Sequence, residues 1–384
     1  KISDRRNCVT LQLRGFAHGV SFFRYSNMEH SEIHASIDLA FQYYQAGQGA
    51  RAEFELGRLL VSNPGNPYIL AALSELYYFA GDMQKTVLYA QSAKNGLKQD
   101  ASLAETLYVS KMLRAAGENE MAFELACRYP INDVANAPET YPMAIHMQNL
   151  MRLEEANVLF SQIPKSGMDE GMLTSYGMSK LFTAQIDEAK QLFLDALAIK
   201  KDTPFAAWQL SMLNEQEGRI ERIVNFEQAL QSELPTEDEV MLRFALYNEH
   251  EAIGDSVKAF DYLQSANLVR CKNQPFDHLE NSEKIENYIE RLHKIEFSNS
   301  ELDHSTLPAP VFIFGLPRTG TTLLEKCVTS LAEVEAVGEH MDFRKELELQ
   351  TNLRFSSPFD IVIRPFEDQL DLPLAGSRYL EKTA

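Results

Sequence analysis

Basic charge is scarce in this chain: 36 lysines and arginines stand against 55 aspartates and glutamates in 384 residues, a net charge of -19. A nucleic-acid backbone is bound by a basic face, and none is found, so nucleic acid is not expected as a partner. An anionic ligand would need a pocket that is locally positive against this global field. Cysteine is scarce as well. Cys8, Cys127, Cys271 and Cys327 are scattered with no pair at metal or redox spacing, which fits reduced thiols in a cytoplasmic chain. The nine histidines do not suggest a metal site either. No stretch approaches the ~20 apolar residues of a membrane span, and no apolar core near the start marks a signal peptide. Methionine is missing from the first position, where Lys1 stands, and residues 1–30 lack periodicity. Met28, just before the first helical pattern, is expected to lie close to the native start, so that removal of residues 1–27 leaves thermal stability unchanged.

What is present is an ordinary globular composition, 45% apolar and 24% charged, in a chain long enough for two or three domains. From about residue 31 to residue 270 the chain repeats itself. Gly47, Gly81 and Gly117 are 34 and 36 residues apart, and Gly218 and Gly254 again 36. That is close to the period of about 34 residues of a tetratricopeptide helix hairpin. Tyr43, Gly47, Ala52, Leu56 and Pro64 keep step with Tyr77, Gly81, Thr86, Ala90 and Lys98. A helix hairpin requires a turn that admits glycine, small residues where the helices cross, and large apolar residues that fill the neighbouring unit's hole. Seven units fit, with irregular connections from Tyr129 to Pro142 and at Lys165-Ser-Gly167, and they are expected to form a right-handed superhelix. Two readings of this array stay open: a concave groove that binds a polypeptide, or a structural platform with no ligand of its own. Tyr43, Tyr44, Tyr77, Tyr78 and Trp208 are candidate groove aromatics, although helical spacing favours packing for most. The expected organisation is an irregular extension over 1–30, the repeat array over 31–270, a capping helix and linker over 271–304, and a further domain over 305–384.

That last segment opens with Pro310-Val-Phe-Ile-Phe-Gly-Leu-Pro-Arg-Thr-Gly-Thr-Thr-Leu-Leu324. Val311 to Phe314 is the short apolar run of a strand buried on both faces. Gly315 to Gly320 brackets a turn that can approach an anion closely, and Thr321 and Thr322 open a helix whose first N–H groups and dipole favour negative charge. Leu324, Cys327, Val328 and Leu331 form one apolar stripe, expected against a sheet, which makes Cys327 a packing residue. The glycine spacing is that of a Walker A loop, but Thr321 stands where lysine is required, which argues against an ATPase or kinase. The cation comes instead from Arg318.

Strand followed by G-x-P-R-[ST]-G-T-T-L-L resembles the 5'-phosphosulfate loop of sulfotransferases that use 3'-phosphoadenosine 5'-phosphosulfate. The likeness is greatest to tyrosylprotein-type enzymes and to bacterial sulfotransferases that carry tetratricopeptide repeats. The fold this implies is an α superhelix of repeats followed by the first part of an α/β, P-loop-like, parallel-sheet sulfotransferase domain. The co-substrate implied is 3'-phosphoadenosine 5'-phosphosulfate, with no metal, held by Gly315, Pro317, Arg318, Thr319, Gly320, Thr321 and Thr322. Arg318 also stabilises leaving charge, and Gly338-Glu339 resembles the family stretch that carries the catalytic base, with His340 as the alternative. Asp342, Arg344 and Lys345 read as a charged solvent face. The family's 3'-phosphate motif, which follows a stretch like Gly376-Ser-Arg-Tyr-Leu380, is missing, and about 75 residues follow Pro310 where such a domain takes ~100 to 150 or more. The chain is therefore expected to be incomplete and to bind 3'-phosphoadenosine 5'-phosphate weakly or not at all. The implied function is sulfuryl transfer to an acceptor hydroxyl, protein tyrosine favoured. The alternative is a repeat-based protein-interaction scaffold with an inactive C-terminal segment.

Overall fold

The computed structural model describes residues 32–135, 137–273, 277–293, 310–315, 319–331, 333–336, 342–355 and 370–383. Helices follow one another as pairs. They are α1 (Glu32–Gln45) with α2 (Gly49–Ser62), α3 (Pro67–Ala80) with α4 (Met83–Gly96), and α5 (Leu103–Ala115) with α6 (Asn119–Ala126). After the short α7 (Ile131–Val134) come α8 (Thr140–Asn149) with α9 (Leu153–Ser161), then α10 (Glu170–Phe182) with α11 (Ile186–Ile199). The array closes with α12 (Pro204–Met212) and α13 (Arg219–Ala229), then α14 (Thr236–Ala252) and α15 (Ser256–Asn273). Four more helices follow: α16 (His278–Leu292), α17 (Thr321–Val328), α18 (Asp342–Thr351) and α19 (Leu372–Thr383). Among the described residues there is no strand, and no helix is long and apolar enough to cross a membrane.

Reversal within each pair has one cause. The first helix ends at a residue with positive φ: Gly47, Gly81, Gly117, Met151, Ala184, Asn214 and Gly254. In every case the N–H of the next residue reaches the carbonyl five residues before itself, as in Gln48 N to Tyr43 O at 2.9 Å, Asp82 N to Tyr77 O at 3.0 Å and Arg152 N to Met147 O at 2.9 Å. This is the Schellman closure, which satisfies carbonyls left over at a helix C-terminus. Spacings of 34, 36, 34, 33, 30 and 40 residues place the turns in one tetratricopeptide-type series. The register read from Gly218 is thereby corrected. Gly218, φ 68°, is the residue before α13, while the turn that ends α12 lies at Asn214. The residues between them form an inserted loop, which is why the neighbouring spacings are short and then long.

Where the paired helices cross, the residue seven before each of the first six turns is small and buried: Ala40, Ser74, Ser110, Ala144, Gly177 and Ala207. Their backbones approach closely enough for Ser74 Oγ to donate to Thr86 O at 2.8 Å and Ser110 Oγ to Ala122 O at 2.5 Å. Met151 and Ala184 hold left-handed backbone at φ 60° and 58° without glycine, a conformation that costs an L-residue about 1–2 kcal/mol. Met151 is exposed, so its side chain adds little packing. Met151→Gly should therefore raise stability by about 1 kcal/mol, seen as a higher urea midpoint at unchanged slope. A lower midpoint would show that Met151 contributes contacts worth more than the strain.

The chain forms two compact units. One comprises Asp100–Lys111 and Glu120–Asn281, with a core that includes Phe160, Phe193, Leu210, Phe226 and Leu246. Here the inserted loop is fastened by α13. Arg222 donates through Nη2 to Glu215 O at 2.6 Å and through Nη1 to Glu217 O, while Arg219 Nη2 reaches Asn214 Oδ1 at 2.6 Å. Both guanidiniums meet Glu249 of α14, each through Nε at 2.8 Å. The other unit includes Glu29–Gln99, Met112–Asn119 and Ser282–Ala384. In it α18 and α19 share a small core of Leu347, Phe355 and Ala375. Gln350 of α18 and Asp371, at the start of α19, exchange hydrogen bonds at 3.0 and 2.8 Å.

Candidate functional site

Two places in the second unit combine features that could recognise a ligand: the glycine loop before α17, and the turn edge of the first repeats where α18 is seated. The loop is built by its glycines. A Cβ on Gly315 would stand 2.6 Å from Thr319 Oγ1 and 2.9 Å from Thr321 Cγ2, so only glycine lets the chain fold back onto the helix start. Gly320, φ 97°, then opens α17, and Leu324 N donates to Gly320 O at 2.9 Å. Gly315, Thr319 and Thr321 thus lie close together, with Gly320 before α17 and Thr321 and Thr322 in its first turn. Pro317, Arg318, Gly338, Glu339 and His340 lie outside the described residues.

The surroundings of the loop correct two expectations. Among the described residues no strand pairs with Val311 to Phe314, and Val311 and Phe314 are 69% and 87% exposed rather than buried on both faces. A strand exists by virtue of its ladder, and no described residue supplies one. Among the described residues Phe312 stacks on Phe314, ring centroids 6.0 Å apart, and on Tyr379 of α19 at 6.2 Å. Likewise, among the described residues no sheet covers the stripe of Leu324, Cys327 and Leu331, which is exposed.

The turn edge carries the fuller set of contacts. The sequence pattern puts α18 on a solvated charged face, and the structure reverses that. Asp342, Glu346 and Glu348 are buried, with Arg344 Nε and Lys345 Nζ on Glu348 at 3.2 and 2.9 Å and Arg378 Nη1 on Glu346 at 2.8 Å. The end of α18 docks on the start of α4. Asn352, φ 51°, turns its Oδ1 to accept the backbone N–H of Gln84 at 2.8 Å, and Gln84 Nε2 donates to Leu349 O at 3.2 Å. Each helix end thereby satisfies a group the other leaves open, with the negative end of one dipole at the positive end of the other. Glycine makes room at one of the two turns: a Cβ on Gly117 would meet Lys345 Cβ at 3.1 Å, whereas one on Gly81 would lie at ordinary contact, 3.9 Å from Arg354 Cβ.

Aromatic side chains complete the surface. Arg354 places its guanidinium 4.2 Å from the ring centroid of Tyr78, and Lys345 Nζ lies 5.8 Å from the same ring. Tyr78 and Tyr44 both pack beside Phe79, at 5.9 and 6.3 Å. Burial pushes the Tyr44 hydroxyl above its ordinary pKa, against the charge of Arg354. Tyr77, by contrast, is a packing residue: it is buried, stacked on Tyr89 at 5.4 Å and bonded through its hydroxyl to Glu53 at 2.5 Å. Beside this patch a cleft of about 370 Å³ is lined by Gln91, Glu118, Lys345, Arg378, Glu381 and Lys382 among others. Sequence reasoning missed Gln84, Asn352 and Arg354. The signal that could have found Asn352 is Thr-Asn-Leu after an amphipathic stretch, asparagine being the usual substitute for glycine at a helix C-terminus.

No family model matches the chain, and no curated protein matches it. Solved structures of repeat proteins are similar to it. A tetratricopeptide repeat protein from Parabacteroides merdae aligns over 65% of this chain and 96% of its own, at 15% identity and TM-score 0.43. The C-terminal part of a TPR repeat-containing protein from Cytophaga hutchinsonii aligns over 63% and 96%, at 14% identity and TM-score 0.41. PilW, a type IV pilus biogenesis factor, aligns over 65% and 97%, at 16% identity and TM-score 0.37. The chain itself contains tetratricopeptide-type repeats, on the strength of its seven left-handed turns and their period.

Proposed function

We propose that this chain is a repeat-based interaction scaffold that binds polypeptide segments. The observation that carries this is the seating of α18: the turn edge at Gly81, Gln84 and Tyr78 receives a helix end through two hydrogen bonds that each join a side chain to a backbone group, and through cation–π contact. Surfaces that hold one helix by such exposed donors and aromatic faces can hold another of the same chemistry. Affinity capture with the wild-type chain and with Tyr44→Ala/Tyr78→Ala tests it, folding being checked by circular dichroism. A polypeptide retained by the first and lost from the second is expected, and equal recovery of every bound polypeptide would refute the reading.

A second reading, sulfuryl transfer from 3'-phosphoadenosine 5'-phosphosulfate to an acceptor hydroxyl, is supported by the described half of the glycine loop. Glycine at 315 and a left-handed Gly320 before α17 suit an oxyanion at the helix start. Arg318 would add a cation and Glu339 would take the acceptor's proton. Calorimetry with 3'-phosphoadenosine 5'-phosphate tests the second reading. Micromolar binding abolished by Arg318→Ala favours transfer, and micromolar binding that survives Arg318→Ala counts against this loop as the site.

A further inference from the structure

Arg354 differs from the other cations of the C-terminal helices. Arg344 and Lys345 share Glu348, and Arg378 takes Glu346. Among the described residues Arg354 forms no ion pair with a carboxylate; its guanidinium rests on the face of Tyr78, with Tyr44 and Phe79 alongside. In a chain of net charge -19 carboxylates are plentiful, yet this arginine is met by an aromatic face. A guanidinium over an aromatic face is a selective contact because the ring quadrupole attracts a cation while the flat group stacks. Gly81 lies beside it, a Cβ there coming to an ordinary contact distance of 3.9 Å from Arg354 Cβ. The arginine also lies two residues after Asn352, whose side chain caps α4, so the patch receives a helix end and an arginine together.

We propose that Tyr44, Tyr78 and Phe79 form an arginine-recognition site that Arg354 occupies in cis, and that the polypeptide bound by the scaffold presents an arginine just beyond a helix end and competes with it. The proposal rests on the scaffold reading and names the partner chemistry and regulation of the same site. A tethered occupant acts at a high effective concentration, so an external segment binds weakly until the clamp is loosened. Partner binding and release of the C-terminal helices are then one equilibrium.

The test uses the full chain and a fluorescently labelled synthetic peptide with the sequence of residues 342–355. Arg354→Gln in the protein should tighten peptide binding by about tenfold over wild type. The gain should vanish when Tyr78→Ala is added, and also when the peptide carries glutamine in place of its last arginine. Hydrogen exchange gives a second readout that needs no ligand: amides of α18 should exchange faster in Arg354→Gln, while those of α3 stay protected. Equal peptide affinity for wild type and Arg354→Gln, a gain that survives Tyr78→Ala, or unchanged α18 exchange would each overturn the clamp. Such a result leaves the scaffold reading standing, because the capture experiment tests that separately.

Discussion

Replacing Glu249 by glutamine should lower stability by about 3–5 kcal/mol, the usual consequence of removing one partner from a buried ion pair. Its side chain is 1% exposed; Oε2 accepts from Arg219 Nε at 2.8 Å, and Oε1 from Arg222 Nε at 2.8 Å with Arg222 Nη2 also at 2.8 Å. Those arginines are almost as buried, and their remaining donors go to the carbonyls of Glu215 and Glu217 and to Asn214. Glutamine keeps the shape but leaves two positive charges facing one neutral oxygen. Because the arginines also fasten the inserted loop before α13, the damage should spread from α14 to that turn. Urea unfolding measures the loss, and hydrogen exchange at residues 214–219 localises it. A change below about 1 kcal/mol would mean that both guanidiniums swing into water instead. Acid should act on the same loop. The Glu215 carboxyl is held below its ordinary pKa by the Glu217 N–H and by Lys190. A depressed carboxyl stabilises above its unfolded pKa, and that contribution fades as pH falls through the lower folded value.

Gly177→Ala should destabilise by about 2 kcal/mol, although alanine is the better helix former. Gly177 lies in α10 where α11 crosses it, and a Cβ there would meet Phe193 at 2.6, 3.0 and 3.1 Å. Phe193 is fully buried in the core of that unit, so its ring cannot yield without disturbing Phe160 and Leu210 nearby in the same core. The gain of about 1 kcal/mol from helix propensity is smaller than the cost of overpacking. Phe193→Leu added to Gly177→Ala should recover part of the loss, since the smaller side chain vacates the place of the new methyl. No recovery would locate the fault elsewhere than in this contact.

Much of the array was legible from the sequence because its turns carry glycine. Gly47, Gly81, Gly117 and Gly254 mark positions where φ is positive, and the small residues around them mark helix crossings. The three remaining turns were hidden. Met151, Ala184 and Asn214 adopt the same backbone without the residue that advertises it, held there by the Schellman bonds and by packing on both sides. Gly218 misled for the opposite reason, being a left-handed glycine that belongs to the start of a helix rather than the end of one. The glycine loop shows the same division. Its local turn, at Gly315 and Gly320, follows from residue type, whereas the strand before it needed neighbours that no local pattern can supply.

The docking of α18 was not legible at all. Its charges look like a solvated face, and only the fold reveals that Glu346 and Glu348 are buried against arginines and a lysine, or that Asn352 completes the cap of a helix some 270 residues earlier in the chain. What the sequence by itself determined is whatever is local: periodicity, turn positions, small residues at crossings and the helix start after Gly320, all of which depend on neighbours a few residues away. What only the tertiary structure decided is the set of contacts between distant segments, Asn352 with Gln84, Arg354 with Tyr78 and Glu249 with its arginines. Those depend on which surfaces the folded chain brings within reach, and no spacing along the chain encodes that.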